Sequence, residues 1–246
     1  MKTLYESLLD DFDDMNASSI TDIRKEIKQF LKDNYKKSSS FKISKKPNND
    51  GYYEVDCSKC KDIIVINKNI MSLTNNLFIF VNIKGSFSCN NCLNLTTLEG
   101  LPEEIDGDFY CTHNYKLTSL KGAPKKVKGY FYCSGCKDLR SLEGAPKEVG
   151  KHFVCSLCDN LISLEGAPKK VGWTFDCSGC NSLTSLEGAP KEVSWTFDCS
   201  GCNSLTSLEG APQKVGGNFV CTHNPKLTSL KGAPKNIGEK ICSDLH

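Results

Sequence analysis

Residues 86 to 238 repeat one 22-residue unit seven times. Cysteine stands at the same place in every copy, at Cys89, Cys111, Cys133, Cys155, Cys177, Cys199 and Cys221. Three residues on comes cysteine or asparagine, at Cys92, Asn114, Cys136, Cys158, Cys180, Cys202 and Asn224. A fixed period of this length predicts a solenoid, in which a unit buries its apolar side chains only by stacking on its neighbours. Such a stack offers a surface that holds something more than a pocket that reacts.

The copy from Trp173 to Ser194, WTFDCSGCNSLTSLEGAPKEVS, shows how one coil is built. Phe175 and Cys177 alternate with Thr174 and Asp176, the period of two of a short strand. Cys180, Leu183, Leu186 and Val193 mark positions that are apolar in every copy, or asparagine at the ladder. Gly188-Ala189-Pro190 breaks regular structure, and the proline leaves no room for a long helix on the way back. Each coil is therefore read as a strand, a bend and an extended return. Equivalent strands of successive coils pair in register, about 4.8 Å apart, into a parallel sheet.

The chain divides into four stretches on this reading. Residues 1–36 are predicted helical: Leu4, Leu8, Phe12 and Met15 keep near-helical spacing, as do Ile20, Ile23, Ile27, Phe30 and Leu31. Ser19 with Asp22 fits a capping-box start for the second helix. Residues 41–85 read as β, with Phe41 to Ser44 and Tyr52 to Val55 flanking the turn cluster Pro47-Asn48-Asn49-Asp50-Gly51. Sliding back one period takes Gly107 to Gly85, Ile105 to Ile83, Leu95 to Leu73 and Phe87 to Val65. Residues 64 to 85 are thus expected to be a degenerate capping repeat. Residues 86–238 are the array, and 239–246 a C-terminal cap or tail.

The formal net charge is only +2, from 31 basic and 29 acidic side chains, which argues against nucleic acid or an anionic membrane as partner. No apolar run reaches the roughly 20 residues that cross a bilayer. The acidic opening (Asp10, Asp11, Asp13, Asp14) has the wrong charge for a secretory leader. A cytoplasmic protein is expected, and its 15 cysteines are read as reduced thiols packed in the core.

The pattern F-x-C-x-x-[C/N]-x-x-L-x-x-L resembles the leucine-rich repeat family, whose strand residues are followed by an Asn-or-Cys ladder. The likeness covers 86 to 238 well and 64 to 85 weakly. The short period and missing helix look like the bacterial effector type, and the spacing Cys180 to Leu183 looks like the cysteine-containing subclass. Phenylalanine replaces leucine at the first strand position. The resemblance implies a right-handed α/β solenoid with its parallel sheet on the concave side, a helical and β-hairpin cap, and a macromolecule bound on the concave face. The opening MKTLYESLLDDFDDM is also similar to N-termini of uncharacterised tailed-bacteriophage proteins, which implies a phage protein acting in a bacterial cell.

Five CxxC pairs in the array, with Cys57-Ser58-Lys59-Cys60 outside it, invite a zinc reading. Asn114 and Asn224 argue against it in the array, because asparagine replaces cysteine in a backbone-binding ladder but not in a thiolate metal site. Cys57 and Cys60 fall outside that argument, so a zinc half-site and a simple turn both stay open there. No cofactor is expected. His113 and His223 share the sequence C-T-H-N, and copies elsewhere hold Gly135, Gly179 and Gly201, which points to a backbone needing positive φ or a close approach. Turn chemistry explains these histidines better than catalysis does. Lysines following the proline (Lys125, Lys147, Lys169, Lys191) are offset by Glu99, Glu143, Glu165, Glu187 and Glu209, a mixed-charge solvated face.

The variable, outward positions of the strands carry the functional signal. They include Asp108, Tyr110, Tyr130, Tyr132, His152, Asp176 and Asp198. Tyrosine suits protein interfaces, because it buries a large area at small entropic cost and keeps a polar tip. Trp173 and Trp195 precede two of the strands and are expected to stack on one another. Whether they face a partner or brace the sheet is open, since alternation points them inward and Gly107, Gly129 and Gly217 replace them elsewhere. No nucleophile–base pair, carboxylate dyad or phosphate loop is apparent, so the chain is not expected to be an enzyme. The expectation is a protein-binding module, with a phage inhibitor of a host defence factor as its sharper form. A self-assembling structural or virion-associated protein is the alternative.

Overall fold

A computed structural model describes residues 86–245 apart from Gly100 and Pro102, together with the backbone of three short strands before them. The helices expected over 1–36, most of 41–85, and Cys57 and Cys60 lie outside the described residues. The array is a parallel β-solenoid of about seven turns, and no described residue is helical.

Every coil contributes two strands, each only two residues long. The front strands of the array are Phe87–Ser88, Phe109–Tyr110, Phe131–Tyr132, Phe153–Val154, Phe175–Asp176, Phe197–Asp198 and Phe219–Val220, with Ile241–Cys242 following. They pair in register one period apart, Phe153 with Phe131 and with Phe175, for example. The hydrogen bonds extend beyond the strands: Phe109, Cys111 and His113 donate to the carbonyls of Tyr130, Tyr132 and Ser134 at 2.7–2.8 Å. The return path is more regular than the expected plain extension. It holds a second strand, such as Lys126–Val127, Glu148–Val149 or Lys170–Val171, and these form an eight-stranded parallel sheet of their own. Here the later coil donates to the earlier one, Gly150 to Val127 and Gly172 to Val149, because this sheet runs the opposite way.

Before the array, Asn82–Ile83 pairs with Glu104–Ile105, the register that one period predicts for Ile83 and Ile105. The front strand beside Phe87–Ser88 is Val55–Asp56, ten positions before Val65. Val55–Asp56 also pairs antiparallel with Lys42–Ile43.

Between the sheets lies one continuous core. The front phenylalanines from Phe109 to Phe219 are completely buried, and their rings form a spine with centroids 5.0–5.5 Å apart, which Phe87 extends at 5.9 Å. Beside it run the columns of Cys, Leu and Val that repeat in the sequence. Removing one such phenylalanine leaves a cavity in the spine and costs about 3–5 kcal/mol.

The second cysteine column is a hydrogen-bond ladder, as the two asparagines suggest. The Sγ–H groups of Cys136, Cys158, Cys180 and Cys202 donate to the carbonyls of Cys111, Cys133, Cys155 and Cys177 at 3.2–3.4 Å. Asn114 does more in the same slot. Its Nδ2 donates to the carbonyls of Cys89 and Cys111, and its Oδ1 accepts the Cys92 N–H at 2.8 Å. Asn224 repeats this arrangement one ladder further on, with Cys199, Cys221 and Cys202. The described cysteines are all free thiols.

Two turns demand positive φ. At the end of the front strand the slot of Gly135, Gly179 and Gly201 has φ of 66–67°, as expected, and Asn91, His113, Leu157 and His223 adopt 57–58° there. On the return path, Ala145 N–H donates to the Leu142 carbonyl across a turn whose third residue, Gly144, has φ 91°. These two slots respond differently to a side chain. A Cβ at Gly188 would lie 2.4–2.6 Å from the backbone of Leu164 and Glu165, whereas one at Gly201 meets nothing nearer than 3.8 Å. Gly201→Ala should therefore cost only the left-handed strain, about 1–2 kcal/mol. Gly188→Ala adds a backbone clash between coils and should exceed about 3 kcal/mol in a urea melt. Equal losses for the two variants would contradict this packing.

Candidate functional site

On the front sheet, alternation sends Phe and Cys inward and leaves two outward positions per coil, flanked by the residue that enters the strand. The register then places each outward side chain directly beside its counterpart one period away. Tyr110 and Tyr132 are in register, and their rings stack at 5.3 Å with planes only 4° apart. Tyr132 also contacts Tyr130 at 5.7 Å. Tyr130 stacks on His152 at 5.0 Å, and His152 and Trp173 make a T-shaped contact at 5.3 Å. Lys151 Nζ sits 4.9 Å over the Tyr130 ring. The sequence candidates Tyr110, Tyr132, Tyr130, His152 and Trp173 thus form one contiguous aromatic ridge running diagonally over four coils.

Asp108 anchors the N-terminal end of this ridge. Its Oδ2 accepts the Tyr110 hydroxyl at 3.0 Å and its Oδ1 accepts the Tyr130 N–H at 2.8 Å. A Cβ at Gly129 would stand 2.1 Å from that Oδ1, so glycine is what lets the carboxylate lie across to the next coil. Burial, followed by the charge of Asp108 and its hydrogen bond, pushes the Tyr110 phenol well above its ordinary value. Burial likewise raises Tyr132, with Tyr130 adding to it. Both tyrosines therefore present neutral hydroxyls at physiological pH.

Asp176 and Asp198 are in register with each other further along the face. Each bends one oxygen back to its own chain, Asp176 Oδ1 accepting from Ser178 N–H at 2.8 Å and Asp198 Oδ1 from Ser200 N–H at 2.9 Å. Burial raises the Asp176 carboxyl, and its bonds with Ser178 oppose that. Nearby, Asn218 Nδ2 donates to Glu239, while its Oδ1 is buried without a hydrogen-bond partner. The repeat marks Asn218 as one of the outward strand positions, without placing it among the candidate binding residues.

The tryptophans depart from expectation. The N–H of Trp195 donates to the Trp173 carbonyl at 3.0 Å, so their backbones are adjacent. Among the described residues, however, the ring contact of Trp173 is with His152, not Trp195. The Trp195 indole leans the other way, its Cδ2 lying 3.4 Å from where a Cβ on Gly217 would be. The glycine leaves that space open and the ring moves over it. Both rings are about half exposed, at 50% and 55%, so they belong to the outer face and not to the core.

The array thiols lie within the core and along its ladder. Burial pushes Cys136 and Cys202 up to about 12 and lifts Cys111, Cys133, Cys155 and Cys177 well above the ordinary thiol value. Cys136 and Cys202, like Cys158 and Cys180, donate hydrogen bonds to backbone carbonyls as neutral thiols. Among the described residues no group of three or more His, Cys, Asp or Glu is placed to hold a metal ion, and no helix is long and apolar enough to cross a membrane. No protein-family model, curated protein or solved structure matches the chain.

Two measurements follow from these surroundings. Burial and the Lys151 charge hold the His152 imidazole below its ordinary 6.5, with Asp176 opposing them. The unfolded chain thus takes up this proton first, and stability falls as pH drops through about 6.5 toward the folded value. The NMR titration of the His152 ring should show a midpoint below 6.5; a midpoint at or above it contradicts the packing between Tyr130 and Trp173. In a Cys57→Ser/Cys60→Ser variant, a thiol reagent at neutral pH should label half-buried Cys242 first and the core thiols only as fast as the coils open. Rapid labelling of several core thiols in the native protein would show the columns to be accessible.

Proposed function

We propose that this protein is a non-catalytic binding module that takes a partner protein on the front face, over Asp108, Tyr110, Tyr130, Tyr132, His152, Trp173, Asp176, Trp195 and Asp198. The observation that carries this reading is the mutual stacking of the ridge. Tyr110 and Tyr132 cover each other's faces, and so do Tyr130 and His152. What remains for a partner is the uncovered ring surface, the hydroxyl tips and the half-exposed Trp173 and Trp195, the mixed apolar and polar surface that protein interfaces favour. The carboxylates of Asp176 and Asp198 supply acceptors for the partner's donors.

The resemblance to leucine-rich repeats supports the same choice, since that family binds macromolecules on its strand face. In its finer form the proposal is a leucine-rich-repeat-like α/β coil, concave over the front sheet and capped by the N-terminal helical and hairpin segments. The likeness of the first residues to tailed-phage proteins makes a bacterial host protein, such as a defence factor inhibited by capture, the partner to try first. A second reading, end-to-end self-assembly, draws on Ile241, exposed in a front strand with a parallel neighbour on one side among the described residues.

Immobilised protein incubated with bacterial lysate should retain a specific partner, and Tyr110→Ala/Tyr132→Ala/Asp176→Ala should weaken that retention at least about tenfold while the fold persists. Undiminished retention by the folded variant removes the face from the proposal. Length-dependent oligomers in light scattering, lost on substituting Ile241→Lys, would favour the end-to-end reading instead.

A further inference from the structure

The return path carries two like-charged columns that the front-face reading does not use. Lys125, Lys147, Lys169 and Lys191 stack in successive coils, and Glu143, Glu165, Glu187 and Glu209 stack four residues earlier in theirs. All eight are exposed. Backbone bonds fix both columns: Lys147 N–H donates to the Lys125 carbonyl and Lys169 N–H to that of Lys147 at 3.0–3.1 Å. The Glu165, Glu187 and Glu209 carbonyls accept from Leu142, Leu164 and Leu186. Like charges are thus held about one strand spacing apart, roughly 5 Å, and cannot separate by shifting the coils.

The fold does not require this. The neighbouring outward column of the back sheet runs Glu104, Lys126, Glu148, Lys170, Glu192, Lys214, with opposite charges in register at every step. There the column compensates itself. In the two like-charged columns, ion pairs serve only the N-terminal end, where Lys121 meets Glu143 at 3.1 Å and Lys125 meets Glu103. Among the described residues Glu165, Glu187, Glu209, Lys147, Lys169 and Lys191 form no ion pair. Between the columns the surface is Gly-Ala-Pro, with Ala167 and Ala189 packed against the core and no side chain long enough to hold a partner away.

We infer that this edge is a docking surface for a second copy of the chain. A twofold axis parallel to the solenoid axis lays the acidic column of each copy along the basic column of the other, so the contact is made twice. Repulsion inside each column is then replaced by attraction across the interface. A basic column alone would suit a linear polyanion, but the acidic column beside it repels one and fits a copy of itself. The contact is small and mostly charged, so it is a weak, salt-sensitive dimer whose attraction falls as added salt shortens the Debye length. It leaves the front face free.

Sedimentation of the full chain tests this, with reversed columns as probes. The wild type should dimerise at low ionic strength and its dissociation constant should rise at least about tenfold between 20 and 200 mM salt. Lys147→Glu/Lys169→Glu/Lys191→Glu and Glu165→Lys/Glu187→Lys/Glu209→Lys, each checked for fold by circular dichroism, should be monomeric alone and form a heterodimer when mixed. If a triple reversal fails to fold, the matching Lys→Gln or Glu→Gln triple should still weaken the dimer. A wild-type monomer at low salt, or a dimer indifferent to both reversals, overturns the inference. So does tight binding of polyphosphate that depends on the lysines alone, which would assign the edge to a polyanion.

Discussion

Everything in this molecule depends on the hydrogen bonds that lock each coil to the next at a spacing of one repeat. Among the described residues no strand exceeds two residues, so a single coil has no secondary structure to stand on. Apart from the bonds that close its turns, the amide groups of a coil find their partners in its neighbours, forward on the front sheet and backward on the return sheet. A slip of one residue would exchange the inward phenylalanine and cysteine for the outward polar residues. That penalty recurs in every coil, which is why the phenylalanine spine, the leucines and the ladder vary so little while the outer positions vary freely.

The same lock shapes the surface. Any side chain repeated at one position becomes a column at strand spacing, and the column must be chemically tolerable. Tyrosines tolerate it by stacking, asparagines by bonding one to the next, as Asn203 does to Asn181 at 2.7 Å. Charges tolerate it by alternating, as the back-sheet column does. Where a column is strained, a neighbour has been altered to suit, and Gly129 beneath the Asp108 carboxylate is the clearest instance. Function on such a scaffold is written in the pattern down a column as much as in any single residue.

How much of this was legible in the sequence follows from which features repeat. The period, the inward positions, the asparagine substitutions and the positive-φ slot were readable, because seven copies average out local noise. The second sheet was not, because its strands hold one inward valine and one charged residue, too little for an alternation to register. The outward tyrosines were identified, but their linkage into one ridge with His152 and Trp173 depends on ring orientation, which no spacing encodes. The Trp173–Trp195 stack failed for a related reason. Adjacent backbones suggest stacked rings, yet His152 on one side and the open space over Gly217 on the other draw the two indoles apart.

The ridge also bears on how a partner would be held. Rings already packed against one another lose little side-chain freedom when a partner arrives, so the ordering cost of roughly 0.5–1.5 kcal/mol per flexible interface side chain is largely absent. The carboxylates are fixed in the same way, Asp108 by Tyr110 and Tyr130, Asp176 and Asp198 by the serines that follow them. A preorganised face of this kind discriminates by shape and by the placement of donors, since it cannot adapt to a poor fit. Its affinity then rests on a partner that matches the pitch of the coils, and an irregular or flexible ligand gains little from the rigidity that the backbone ladder imposes.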